Sequence, residues 1–133
     1  MTTLKPNHDL PPLVFAVRSH PRSVTDARQR VADYAEAGGA DRDDVALAVA
    51  ESVANAVVHA FGDRDDGAIT VRAEIKGARL VVEIADLGSG TTTHAGSPHA
   101  GFGLAIIGAV ANSVEIRTGN QGTRLVLGFP RAS

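Results

Sequence analysis

There is no cysteine among the 133 residues, which excludes a thiol nucleophile, a disulfide framework and any thiolate-bound metal, and leaves the redox compartment open. Lysine is almost as scarce. Lys5 and Lys76 are the only two, and neither stands in the Gly-x4-Gly-Lys-Ser/Thr pattern of a phosphate-binding P-loop. No apolar run approaches the roughly 20 residues of a membrane span, and the first twelve residues lack the apolar centre of a signal peptide, so a soluble, unexported protein is expected. Excess charge is missing as well. Lys and Arg number 13 against 15 Asp and Glu, a formal net charge of −2, which gives no general attraction to nucleic acid or to an anionic membrane. What remains is an ordinary globular balance, 44% hydrophobic and 21% charged, in a length suited to one domain with its own core. Residues 1–12, with Pro6, Pro11 and Pro12, read as a flexible N-terminal arm, and residues 13–133 as the domain.

Leu13, Phe15 and Val17 alternate with Val14, Ala16 and Arg18, the period of a strand, which Pro21 would end. Val24, Ala27, Val31, Tyr34 and Ala35 recur at helical spacing, in a helix that Ser23 or Thr25 would cap and Gly38 and Gly39 would close. Asp41 and the acidic residues after it supply the cap and first turn of a second helix, which runs to about Phe61. Residues 68–76 and 80–85 alternate around Gly77 and Ala78 as a β-hairpin. Residues 86–100 hold three consecutive threonines and no apolar period, and read as a mobile loop. Gly101 then opens a third helix through Leu104, Ile107, Val110 and Ala111, and strands 114–118 and 123–129 close the chain as a second hairpin. This order predicts an α+β two-layer sandwich: about three helices on one face of a mixed, mostly antiparallel sheet.

The second helix is apolar almost all round, with one exception. Glu51, Asn55 and His59 fall at i, i+4 and i+8, in one line that drifts by about 40° per step, with Ser52 beside it. Such a line can be a solvated helix face, but the width of the apolar surface argues for a polar cavity, because unpaired burial of these groups is costly. A carboxylate base with an oxygen ligand one turn further on suits Mg²⁺ and a hydroxyl nucleophile. Two Gly-x-Gly pairs bracket the loop. Gly101 and Gly103, at a helix start, would let N–H groups approach a phosphate, or would simply form a turn. Asp86, ahead of Gly88 and Gly90, would serve as an acceptor for an exocyclic amino group such as that of adenine, or as a turn cap. His94 and His99 lack a third ligand and are assigned no role.

The combination and its order resemble a known family. Glu51-Ser52-Val53-Ala54-Asn55-Ala56-Val57-Val58-His59-Ala60 is similar to the N box of the ATPase superfamily shared by gyrase, heat-shock chaperones, histidine kinases and MutL (GHKL). Asp86-x-Gly88-x-Gly90 resembles its G1 box, Gly101-x-Gly103-Leu104 its G2 box, and Gly122-Thr123 its final Gly-Thr motif, together spanning about 70 residues. The short single-domain form with a brief lid is most similar to the bacterial anti-sigma-factor serine/threonine kinases. The resemblance implies the Bergerat ATP-binding fold, with ATP and Mg²⁺ as cofactors and a cytoplasmic setting. It implies Asn55 as the Mg²⁺ ligand and Glu51 as the catalytic base toward an attacking hydroxyl. Asp86 would hold the adenine amino group, with Gly88, Gly90 and Thr123 beside the ring. Gly101, Gly103 and Leu104 would offer N–H groups to the phosphates, and residues 91–100 would form the lid. That lid carries no lysine or arginine, where some relatives place a phosphate-contacting cation. His59 would orient Asn55. The implied partners are a sigma factor, met in part by Arg28, an anti-anti-sigma antagonist carrying the acceptor serine, and a second copy in a homodimer. A different class of reading is a catalytically weak nucleotide-binding module that regulates a partner by ATP occupancy alone.

Overall fold

A computed structural model describes residues 10–60, 67–86, 105–119 and 122–132. In it β1 (Leu13–Arg18) ends before the proline, and α1 (Pro21–Ala37) starts on it. Pro21 suits the first helical turn because its fixed φ is helical and its missing N–H would have had no partner there. The cap is therefore His20, whose Nδ1 accepts from the Arg22 N–H at 3.1 Å; Ser23 and Thr25, expected as caps, lie inside the helix. Gly38 closes α1, and Gly39, at φ +86°, turns the chain toward α2 (Arg42–Ala60). Asp41 caps α2 as expected, its Oδ1 accepting from the Asp44 N–H at 2.9 Å, and Asp43 and Asp44 place negative charge at the positive end of the helix dipole.

β2 (Ala68–Lys76) and β3 (Arg79–Asp86) form the expected hairpin, and β4 (Ser113–Gly119) and β5 (Gly122–Pro130) the second. A helical segment at 105–110 precedes β4 and ends before Ala111. The sheet runs β1-β2-β3-β5-β4. All of its pairings are antiparallel, a stricter pattern than the mixed sheet expected. Short hairpin links dictate this for β2–β3 and β4–β5, since parallel neighbours need a long crossover, whereas β1–β2 and β3–β5 are antiparallel across longer connections.

The register sorts the two faces. Phe15, Val71, Ile84 and Leu125 stand in one row, and Leu13, Ala73, Val82 and Leu127 in the next. Against these rows pack Val31 of α1, Val45, Val49 and Val53 of α2, and Ile107, all inaccessible to solvent. The opposite face is charged, with Arg124 paired to Glu83 at 2.9 Å and Arg117 to Glu115 at 2.8 Å. Among the described residues, no helix is long and apolar enough to cross a membrane.

One end of this sandwich is fastened by the chain's last turn. Buried Arg131 donates from Nε to the Gly38 carbonyl at 2.6 Å and from Nη1 to the Gly77 carbonyl. Its backbone N–H reaches Ala78 at 3.0 Å, and that of Ala132 reaches Gly39 at 2.8 Å. The α1–α2 turn, the β2–β3 turn and the end of β5 thus meet. α2 starts at this end and extends 19 residues, about 1.5 Å each, while β3 stops at Asp86 at the opposite end of the sheet.

Candidate functional site

Glu51 and Asn55 are one turn apart on α2, and both are half-buried. Their inner neighbours explain why. Val49 and Val53 are fully inside the core, and Ser52 is buried with its hydroxyl donating to the Ala48 carbonyl at 2.7 Å, so it is consumed within the helix. The outer side is apolar, as read from the sequence, but is not all covered. Leu47 and Val58 are 42% and 59% exposed, because α1 and the sheet cover only one side of α2. The acid and the amide thus occupy the border between the packed and open sides of the helix, where a charged group keeps access to water or ligand.

Asp86 is the second part of the site. It is the last residue of β3, only 9% exposed, and it shares a sheet face with Ile84, the face the helices cover. The β3–β5 register sets it opposite Thr123, whose N–H donates to Oδ1 at 3.3 Å. Thr123 itself is exposed. Backbone pairing therefore orients a largely buried carboxylate at the end of β3, on the face the helices cover.

Residues 17–129 match the histidine kinase-like ATPase domain. The chain belongs to that family. It is 28% identical over 96 residues to the anti-sigma F factor of Clostridium novyi, an alignment covering 63% of this chain and 67% of that protein. Among solved structures it resembles the RsbU and RsbW domains of Rv1364c from Mycobacterium tuberculosis, with 28% identity and a TM-score of 0.67, over 93% of this chain. It spans about a third of that longer polypeptide, 33% of its length. The histidine kinase domain of Erythrobacter litoralis EL346, a blue-light activated histidine kinase, shares the fold at 20% identity and a TM-score of 0.58, covering 86% of this chain and 62% of that one.

Membership of the histidine kinase-like ATPase family implies nucleotide binding, and the described residues fit a nucleotide: a fixed acceptor at the sheet end and hard oxygen donors on α2. Of the residues read from the sequence, Glu51, Asn55, Asp86 and Thr123 are described: Asp86 and Thr123 stand opposite each other in the β3–β5 pair, and Glu51 and Asn55 lie one turn apart on α2. Arg28 is exposed on α1. Gly88, Gly90, Gly101, Gly103, Leu104, the lid 91–100 and residues 1–9 of the arm lie outside the described residues, as does the side chain of His59. One residue was undervalued. Gly122, the first half of the Gly-Thr pair, has a φ of +119° directly beside Asp86; the signal in the sequence is a glycine placed where a strand begins.

Proposed function

We propose that this chain is an ATP-dependent protein serine kinase that holds a sigma factor and phosphorylates an anti-anti-sigma antagonist. The observation that supports the reading best is the half-buried Glu51–Asn55 pair one turn apart on α2, in a chain whose β3 ends on an Asp86 carboxylate held by the Thr123 N–H. The name of the Clostridium novyi relative supports the choice of partners. Bound ATP with Mg²⁺ would supply a transferable phosphoryl group with its charge partly neutralised. The Asn55 carboxamide oxygen is a hard ligand suited to Mg²⁺, which keeps most of its remaining positions for phosphate and water. Asp86 accepts from the adenine amino group, with Thr123 alongside and Gly90 permitting close approach of the ring. N–H groups of Gly101, Gly103 and Leu104 serve the phosphates. Glu51 would take the proton that the acceptor serine hydroxyl gives up as its oxygen forms the new bond to the γ-phosphorus, while the bond from that phosphorus to the bridging oxygen breaks and ADP leaves. Arg28, on the outside of α1, contributes to the sigma-factor surface.

Calorimetric titration with ATP, with and without Mg²⁺, tests the site. Asn55→Ala is expected to abolish magnesium-dependent affinity, and Glu51→Ala to spare binding while stopping transfer to an antagonist serine. Full transfer by Glu51→Ala would refute the base assignment. Tight binding by the wild type without transfer to any antagonist would instead leave the occupancy-driven module as the function.

A further inference from the structure

Two glycines in hairpin positions hold backbone conformations that side chains avoid, and their surroundings are opposite. Gly77, at φ +62°, turns β2 into β3, and a methyl group added there would meet nothing within 4 Å. Gly122, at φ +119°, begins β5, and a methyl group there would overlap the Asp86 carbonyl oxygen and come within 2.8 Å of its Oδ1. Neither obstacle can step aside cheaply. The carbonyl belongs to the backbone of a strand paired on both sides, and Oδ1 already accepts the Thr123 N–H.

We infer that Gly122 is a positioning residue for base selectivity: its missing side chain lets the Asp86 carboxylate lie along β5, bonded to Thr123, in the one orientation that distinguishes adenine from guanine. This rests on the functional reading given above. Adenine carries an amino donor where guanine carries a carbonyl acceptor. A carboxylate held in place attracts the first and repels the second, whereas one displaced from its bond to Thr123 faces both edges less selectively. Sites built around a fixed polar partner discriminate far more strongly than sites that merely fit a shape.

The experiment titrates the wild type, Gly122→Ala and Gly77→Ala with ATP and with GTP in Mg²⁺, and records thermal unfolding of each. Gly122→Ala is expected to lower the ratio of ATP to GTP affinity by at least about ten-fold, chiefly by weakening ATP. Gly77→Ala, which carries backbone strain without the contact, is expected to keep the wild-type ratio. A merely structural role for Gly122 would lower both affinities together and leave their ratio alone, so an unchanged ratio overturns the inference. If the wild type binds neither nucleotide, the functional reading fails first and this inference with it. Should Gly122→Ala not fold, the Thr123 amide resonance of the wild type decides. A larger shift at ATP saturation than at GTP saturation supports the oriented carboxylate, and an amide unmoved by ATP overturns it.

Discussion

Replacing Arg131 with alanine removes two side-chain hydrogen bonds that join the end of β5 to the α1–α2 and β2–β3 turns. Backbone bonds from Arg131 to Ala78 and from Ala132 to Gly39 survive the substitution, so the loss belongs to the guanidinium alone. A hydrogen bond from a charged donor contributes about 1.5–3 kcal/mol. The Gly38 carbonyl lies at the buried C-cap of α1, where the helix dipole also favours a cation, and its bond should stand at the upper end. Gly77 is exposed, so water replaces part of the second bond. Against this, Arg131 Nη2 is buried without a hydrogen-bond partner, and removing it relieves a desolvation cost of about 1–3 kcal/mol. The net expectation is a loss of about 2–4 kcal/mol. Urea unfolding followed by circular dichroism should show a lower midpoint with an unchanged slope. Arg131→Lys keeps the charge but lacks the planar fork that spans two carbonyls, and should recover less than half of the loss. A midpoint for Arg131→Ala within error of the wild type, or full rescue by lysine, would refute this account of the clamp.

Burial of the Tyr34 hydroxyl raises its pKa above the ordinary value of 10.0; the neighbouring Ile75 backbone tempers the effect, and Glu74 adds to it. Because the folded-state value is raised, the stability involved is complete below the unfolded pKa and is lost as pH rises through the folded one. Unfolding free energy should therefore fall above about pH 10, and more steeply in the wild type than in Tyr34→Phe; equal alkaline slopes would refute it. Leu127→Ala, at a position with no solvent exposure between α2 and the sheet, should cost about 3 kcal/mol in chemical denaturation. A cost below about 1 kcal/mol would mean that the core closes over the gap.

The sequence was most legible where the signal is local. Alternation at Ile69, Val71 and Ala73 gave β2 its observed bounds, and Asp41 capped α2 as its position before the acidic turn suggested. The His20 cap is legible too, because Pro21, which breaks a strand, is also a favoured first residue of a helix. The exposure of Leu47 and Val58 was not, since hydrophobicity around a helix does not say how many neighbours arrive to cover it. Arg131 was hidden for a stronger reason. Its partners lie 93 and 54 residues away in the chain, and arginines near a chain end are ordinarily solvated. In the candidate site, Glu51 and Asn55 came from helical spacing and Asp86 from motif order. The steric part played by Gly122 required the β3–β5 register, which no single stretch of sequence contains.

The sheet order has a consequence for where variation can accumulate. β3 is the middle strand, hydrogen-bonded along both sides, while β1 and β4 form the rims. Local opening starts at rims and chain ends and reaches interior strands only on global unfolding. A rim strand can fray, exchange its amide hydrogens or accept substitutions while β3 stays paired. Asp86, as the last residue of that strand, is thus carried on the slowest-opening part of the molecule, and the two rims remain free to diverge among relatives that read the same ligand.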